Sequence, residues 1–252
     1  MKTMNKTTEL KVATMSSTKT VFMGSRTVYT RLIGALFLLA FVFYGVGNGL
    51  VTSVVGAPDF LATITAHQTT FVLGTFLMLL NSLAVVGMAV LFFPILENHG
   101  KRTALAYFAS RIVEAVLLVV GVLCLLMIPS LAQQAVAAGE ASAAWAKTLG
   151  SLAIQSNTMA YQIAEMSLGL GGVLLCSLLF RTRMIPRFLA GWGVIGYTLF
   201  LVGAIAEILG IHIGLMLSIP GGLFEIVFAF WLLLKGFQPE AFRGQPVTRS
   251  LV

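Results

Sequence analysis

Apolar residues in this chain run in six blocks of about twenty or more, at roughly 30–52, 70–95, 104–128, 157–180, 188–209 and 213–235, each bounded by polar or basic positions. A helix rising about 1.5 Å per residue needs roughly twenty residues to cross a hydrocarbon core of about 30 Å, so each block predicts one membrane-spanning helix. The pattern predicts an all-α fold, a polytopic membrane bundle of six transmembrane helices over residues 29–236.

The segments between and beyond the blocks refine this. Residues 1–28 are rich in Lys, Thr, Ser and Met with Glu9 as the one acid, and are expected to form a disordered basic tail. Residues 237–252 form a second short tail. The longest inter-span segment, about 130–156, is Ala-rich and carries Gln133, Gln134, Glu140, Trp145 and Lys147. Alanine favours helix and Trp the membrane interface, so one or two short helices on the outer surface are expected there.

Composition adds an exclusion: 58% hydrophobic and 10% charged residues leave too little polar surface for a soluble domain. The net charge of +7 would suggest nucleic acid if it were clustered on a water-soluble face. Instead, every Lys and Arg except Arg111, inside the third span, and Lys147, in the outer loop, falls on one side of the predicted membrane. By the positive-inside rule both termini are cytoplasmic, the segment near 130–156 is external, and the partner implied is the lipid bilayer rather than nucleic acid. The expected location is a bacterial cytoplasmic membrane.

Ionisable groups within the spans carry the chemistry. Arg111 and Glu114 in the third span, Glu165 in the fourth and Glu225 in the sixth would each cost roughly 2.5–3.5 kcal/mol at a span centre if unpaired. They are therefore expected to face one another or water. Helical spacing supports a shared interior: Tyr107, Arg111 and Glu114 fall on one face, Tyr161, Gln162 and Glu165 cluster on another, and Ser218, Gly222, Glu225 and Ala229 form a narrow small-residue face. Asn81 and Tyr197 bring polar groups from the second and fifth spans at mid-depth, and Asn48 and Glu207 lie near outer ends. The candidate intramembrane polar site is thus Asn81, Arg111, Glu114, Gln162, Glu165, Tyr197 and Glu225, a polar core expected to open outward. One Arg cannot satisfy three carboxylates, so after an Arg111–Glu114 pair the others need a cation, a shared proton or water.

Pro220-Gly221-Gly222, just before Glu225, is the candidate helix break, where a kink or short unwound segment would expose backbone groups for coordination. Gly45 and Gly49, and Ser167 and Gly171, have the spacing of close helix-packing faces.

Other patterns are set aside. Gly191-Trp192-Gly193-Val194-Ile195-Gly196 has dinucleotide-fingerprint spacing but opens a spanning helix with no strand before it. His67, His99 and His212 are scattered over loops, and Cys124 and Cys176 sit singly in apolar blocks, so neither a metal site nor a disulfide framework is indicated. No catalytic triad, zinc-protease helix or phosphate loop is visible, and no cofactor is expected.

With these positions established, the chain resembles the bacterial multi-pass membrane family catalogued as domain of unknown function 4386, from about Arg31 to Gly236. The resemblance rests on Arg31-Leu32-Ile33-Gly34, Arg111-Ile112-Val113-Glu114-Ala115, Arg181 through Pro186-Arg187 with Tyr197 beyond, and Glu225 followed by Leu232-Leu233-Leu234-Lys235-Gly236. Ser110 stands where an aromatic is expected, and Asn81 where an acid is frequent. The resemblance implies a membrane-embedded bundle and no assigned activity. Three readings stay open: binding or transport of a small solute or ion, an accessory or sensory protein whose polar core is structural, alone or in an oligomer, and an intramembrane enzyme acting on lipid, for which the sequence offers no nucleophile.

Overall fold

A computed structural model describes residues 4–138 and 140–238, with side chains placed for 27–135 and 144–238. The elements are all helices: α1 (Met4–Val55), α2 (Phe60–Ala66), α3 (Gln68–Leu126), α4 (Ile128–Ala138), α5 (Glu140–Thr182), α6 (Arg187–Ile208) and α7 (Gly214–Leu234). Five helical stretches are long and apolar enough to cross a membrane, one of them 68 residues long.

That long stretch contains two crossings. Within α3, Gly100 leaves helical geometry at φ 178°, ψ 81°. Phe92 meets Tyr107 edge-on with ring centroids 5.5 Å apart, and Phe93 meets Phe108 at 5.7 Å. Residues so far apart in a straight helix would be separated by about 22 Å, so the chain folds back at Gly100 into two antiparallel arms, 68–99 and 101–126. Counted by arms, the bundle has six spans, as the hydrophobic blocks predict.

The spans close into a ring. α1 packs on the first arm of α3, the second arm on α5, α5 on α6, α6 on α7, and α7 returns to α1. Small residues let the backbones approach where these helices cross. A Cβ built on Gly47 would stand 2.7 Å from the Gly74 carbonyl, and one on Gly74 would stand 2.8 Å from the Gly47 carbonyl. The crossing therefore uses Gly47, midway between the expected Gly45 and Gly49, and a Cβ on either of those two would meet nothing within 4 Å. The other expected face holds: Ser167 Oγ donates to the Ser110 carbonyl at 2.7 Å, and Gly171 abuts the Ser110 side chain. Val, Leu, Ile and Phe side chains such as Leu83, Val113, Phe188 and Phe230 face outward from the spans, an apolar belt that lipid would cover.

Two apolar cores sit at different depths. Toward the basic end, Phe37, Phe92, Tyr107, Phe224, Phe228 and Leu232 pack together, with Phe37 and Phe228 centroids 5.6 Å apart. At the other end Val51, Phe60, Ile64, Phe71, Val122, Ile128 and Ala146 form a second cluster. This outer cap joins α2, α4 and the start of α5 to the ends of α1 and α3; α2 lies in a stretch where no helix was expected. Most of 130–156 is helix, as its alanine content predicts.

Toward the N-terminus, α1 is helical from Met4. Once the first span supplies a nucleus, each added residue extends a helix at no further nucleation cost, and no proline intervenes. At the other end the Gln238 N–H donates to the Met184 carbonyl at 2.9 Å, and residues 239–252 lie outside the described set.

Arg31, Lys101, Arg102, Arg181, Arg183, Arg187 and Lys235 all lie at the end of the bundle that holds the α3 fold and the α5–α6 turn. Arg183, at φ 57°, supplies the left-handed residue that ends α5. By the positive-inside rule this end is the one expected to face the cytoplasm. Reporters fused after Arg187 and at the C-terminus are accordingly expected to read cytoplasmic, and one inserted near Glu140 external. A cytoplasmic readout near Glu140 would refute this orientation.

Candidate functional site

Between the two apolar cores the ring encloses a cavity of about 400 Å³. Counting along each helix explains its depth: Arg111 is nine residues from Arg102, Tyr197 ten from Arg187 and Glu225 ten from Lys235. At about 1.5 Å per residue each lies roughly 15 Å from the basic end, near the middle of a hydrocarbon core of about 30 Å.

Arg111 and Glu114, three residues apart on one helical face, form an ion pair with Arg111 Nη1 2.9 Å from Glu114 Oε2. Both side chains are buried, at 4% and 7% exposure. The pair leaves bonding capacity unused: Arg111 Nε is buried without a hydrogen-bond partner among the described residues, and Glu114 Oε2 meets the guanidinium in an ion pair that lacks directional hydrogen-bond geometry. A guanidinium has five N–H donors, and a buried donor without an acceptor costs about 1–3 kcal/mol.

Glu225 approaches from α7. Its Oε1 accepts a hydrogen bond from the Tyr197 hydroxyl at 2.8 Å, across the α6–α7 contact. Arg111 is near enough to act electrostatically on both Glu225 and Glu165. On α5, Tyr161 and Glu165 stand four residues apart on one helical face, and the Tyr161 ring stacks on Tyr44 of α1 with centroids 5.1 Å apart and planes at 14°. Four helices thus bring three carboxylates, one guanidinium and two stacked phenols to one space, which Phe37, Val85, Met88, Leu118 and Leu168 complete with apolar surface.

Of the residues expected at the site, Asn81, Arg111, Glu114, Glu165 and Glu225 line the cavity. Tyr197 is not on the wall; it stands behind Glu225 and holds it. Gln162 does not line the cavity either. Four residues along a helix return to within about 40° of the same direction, so Tyr161 and Glu165 share a face, whereas Gln162 is turned about 100° from Tyr161. Tyr44 is a polar wall residue that the sequence reading did not single out; its signal was a phenol at mid-depth in the first span.

No unwound segment is present at Pro220, Gly221 and Gly222. α7 is helical from Gly214 through Leu234, with Pro220 inside it. A proline in the second turn of a helix removes one backbone bond near its start, which the remaining turns tolerate. The glycines serve packing, because a Cβ on Gly196 would lie 2.8 Å from the Gly221 Cα, and Trp192 Nε1 donates to the Pro220 carbonyl at 3.0 Å. The mouth lies on the outer half of the bundle but at its side, between α1 and α7, where Phe41, Gly45, Ile219 and Leu223 both line the cavity and are exposed.

At the outer end Glu207 has a local role: Oε1 accepts from the Gly214 N–H at 2.8 Å, capping α7, and Oε2 lies 3.0 Å from His212 Nδ1. Among the described residues, no group of three or more His, Cys, Asp or Glu side chains is placed to hold a metal ion.

The model of the family described as Domain of unknown function (DUF4386) matches residues 32–236, a stretch that includes every wall residue of the cavity. No curated protein and no solved structure matches the chain.

Proposed function

Because the chain belongs to the family described as Domain of unknown function (DUF4386) and has several helices long and apolar enough to cross a membrane, we propose from its geometry that it binds a small solute or ion at mid-membrane and carries it across a bacterial cytoplasmic membrane. The observation that carries this reading is the cavity of about 400 Å³, walled by Arg111, Glu114 and Glu225 near mid-depth and by Glu165 further toward the outer end. A bundle that needed these groups only for packing would gain by closing around them, since a buried ion pair contributes little net stability even when well formed. Here the space remains, its size falls in the ordinary range of small-molecule sites of about 300–1,000 Å³, and Arg111 retains an unpaired donor.

Glu165 and Glu225 are the coupling elements in this reading. One guanidinium balances one carboxylate, so the other two exchange a proton for a cationic solute without changing the net charge of the site. Purified protein reconstituted in proteoliposomes, with a pH gradient imposed and candidate solutes added, is expected to show solute uptake coupled to proton movement. A panel of cations, amines and neutral solutes that produced neither flux nor binding would instead favour the accessory reading, in which the polar core serves packing alone.

A further inference from the structure

Resting on that reading, we infer that the ligand is an amphipathic organic cation that enters from the bilayer, through the cleft between α1 and α7. The route follows from what closes the other sides. Toward the basic end Phe37, Phe92, Phe224 and Phe228 fill the bundle, with Phe224 and Phe228 rings stacked at 5.4 Å. At the outer end the cap built on Phe60, Ile64 and Ile128 covers α1 and α3.

The seam between the first and last spans behaves differently along its length. Its inner half is locked: a Cβ on Gly34 would stand 2.7 Å from the Ala229 carbonyl. Its outer half is loose, because a Cβ on Gly45 would meet nothing within 4 Å, and one on Gly222 would meet only the Phe41 ring, at 3.5 Å. Phe41, Gly45, Ile219 and Leu223 therefore form an apolar rim at a depth where the surroundings are lipid. A hydrophilic solute gains nothing from such an entrance, whereas a molecule already dissolved in the bilayer arrives at it directly.

The interior chooses the sign of the charge. Carboxylates outnumber the guanidinium three to one, and Glu114 already occupies Arg111. An anionic head group would be placed against the surplus acids. A monovalent organic cation meets Glu165 and Glu225, and the stacked Tyr44 and Tyr161 rings offer the aromatic faces that attract such cations. Met88, Leu118 and Leu168 then accept its apolar body.

The test uses full-length protein in phosphatidylcholine nanodiscs, with empty nanodiscs as the partition control, and three probes. Tetraphenylphosphonium is an amphipathic cation, tetraphenylborate is its anionic counterpart of nearly equal size, and tetramethylammonium is a cation without the apolar body. Saturable binding of tetraphenylphosphonium is expected, weakened at least tenfold by Glu165→Gln, with no saturable binding of the other two probes. Gly45→Trp adds bulk in open space at the mouth, so it is expected to fold normally and slow association at least tenfold. Saturable tetramethylammonium binding without tetraphenylphosphonium binding would overturn the amphiphile and leave the solute reading standing. Preference for tetraphenylborate would overturn the charge assignment. Absence of saturable binding by all three, or tetraphenylphosphonium binding indifferent to both substitutions, would overturn the inference, while proton-coupled flux of another solute would still support the function proposed above.

Discussion

Removing the charge of Arg111 alone, as in Arg111→Met, is expected to destabilise the folded bundle by about 3–5 kcal/mol, the range for breaking a buried ion pair by deleting one partner. Glu114→Leu is expected to cost a similar amount. The pair is three residues apart on one arm of α3, buried on both sides, and 2.9 Å between charged atoms. Deleting either member strands the other in a space of low dielectric, where the cost of an uncompensated charge dominates. Replacing both together removes the stranded charge, so the double variant is expected to be much closer to the parent than either single one. Reversible unfolding in mixed detergent, arranged as a double-mutant cycle, measures this, and additive losses would show that the two side chains do not interact. Because Arg111 also faces Glu225 and Glu165, the two single variants need not lose equal amounts. Loss of Arg111 leaves three acids without their one cation, so its effect is expected to be the larger.

The number of spans and the grouping of ionisable residues were legible because both depend on coarse costs. Twenty apolar residues have few stable alternatives to a crossing, and an Arg at mid-span must find a partner. The fold-back at Gly100 was legible for the same reason, since Lys101 and Arg102 interrupt two apolar blocks. What escaped were features that depend on which face of a helix meets which neighbour. Gly45, Gly47 and Gly49 alternate along α1, and only contact with Gly74 distinguishes the middle one as the crossing point. Gln162 is adjacent in sequence to Tyr161 but off the cavity face. Tyr44 acquires its position from a ring on another helix. Pro220-Gly221-Gly222 read as a break because proline and glycine weaken an isolated helix, yet in the bundle the same small residues let α6 and α7 touch, and that contact holds α7 helical. The direction of the opening was equally hidden, because it depends on the cap formed by α2, α4 and the start of α5, segments that lie between the predicted spans.

Glu225→Gln is expected to leave the bundle folded and to abolish proton-linked solute uptake, the largest functional effect of any single substitution in the site. Glutamine keeps the size of the carboxylic acid, and its amide oxygen still accepts the hydrogen bond that Tyr197 donates to Glu225 at 2.8 Å. It cannot take up or release a proton, so any cycle that trades a proton for a cation at this position stops. Two companion variants separate function from packing. Glu225→Leu removes the acceptor and leaves the buried Tyr197 hydroxyl without one, at a cost of about 1–3 kcal/mol, so it is expected to unfold at lower temperature than Glu225→Gln. Tyr197→Phe removes the donor but keeps the proton-exchanging acid, so it is expected to retain uptake with altered pH dependence. Tyr197 touches the wall residue and not the cavity, which makes it a positioning group. The measurements are thermal unfolding of the purified variants and uptake driven by an imposed pH gradient in proteoliposomes. If Glu225→Gln transported as well as the parent while Glu225→Leu failed to fold, Glu225 would be a packing residue, and Glu165 would remain as the one unpaired acid able to couple a proton to the solute.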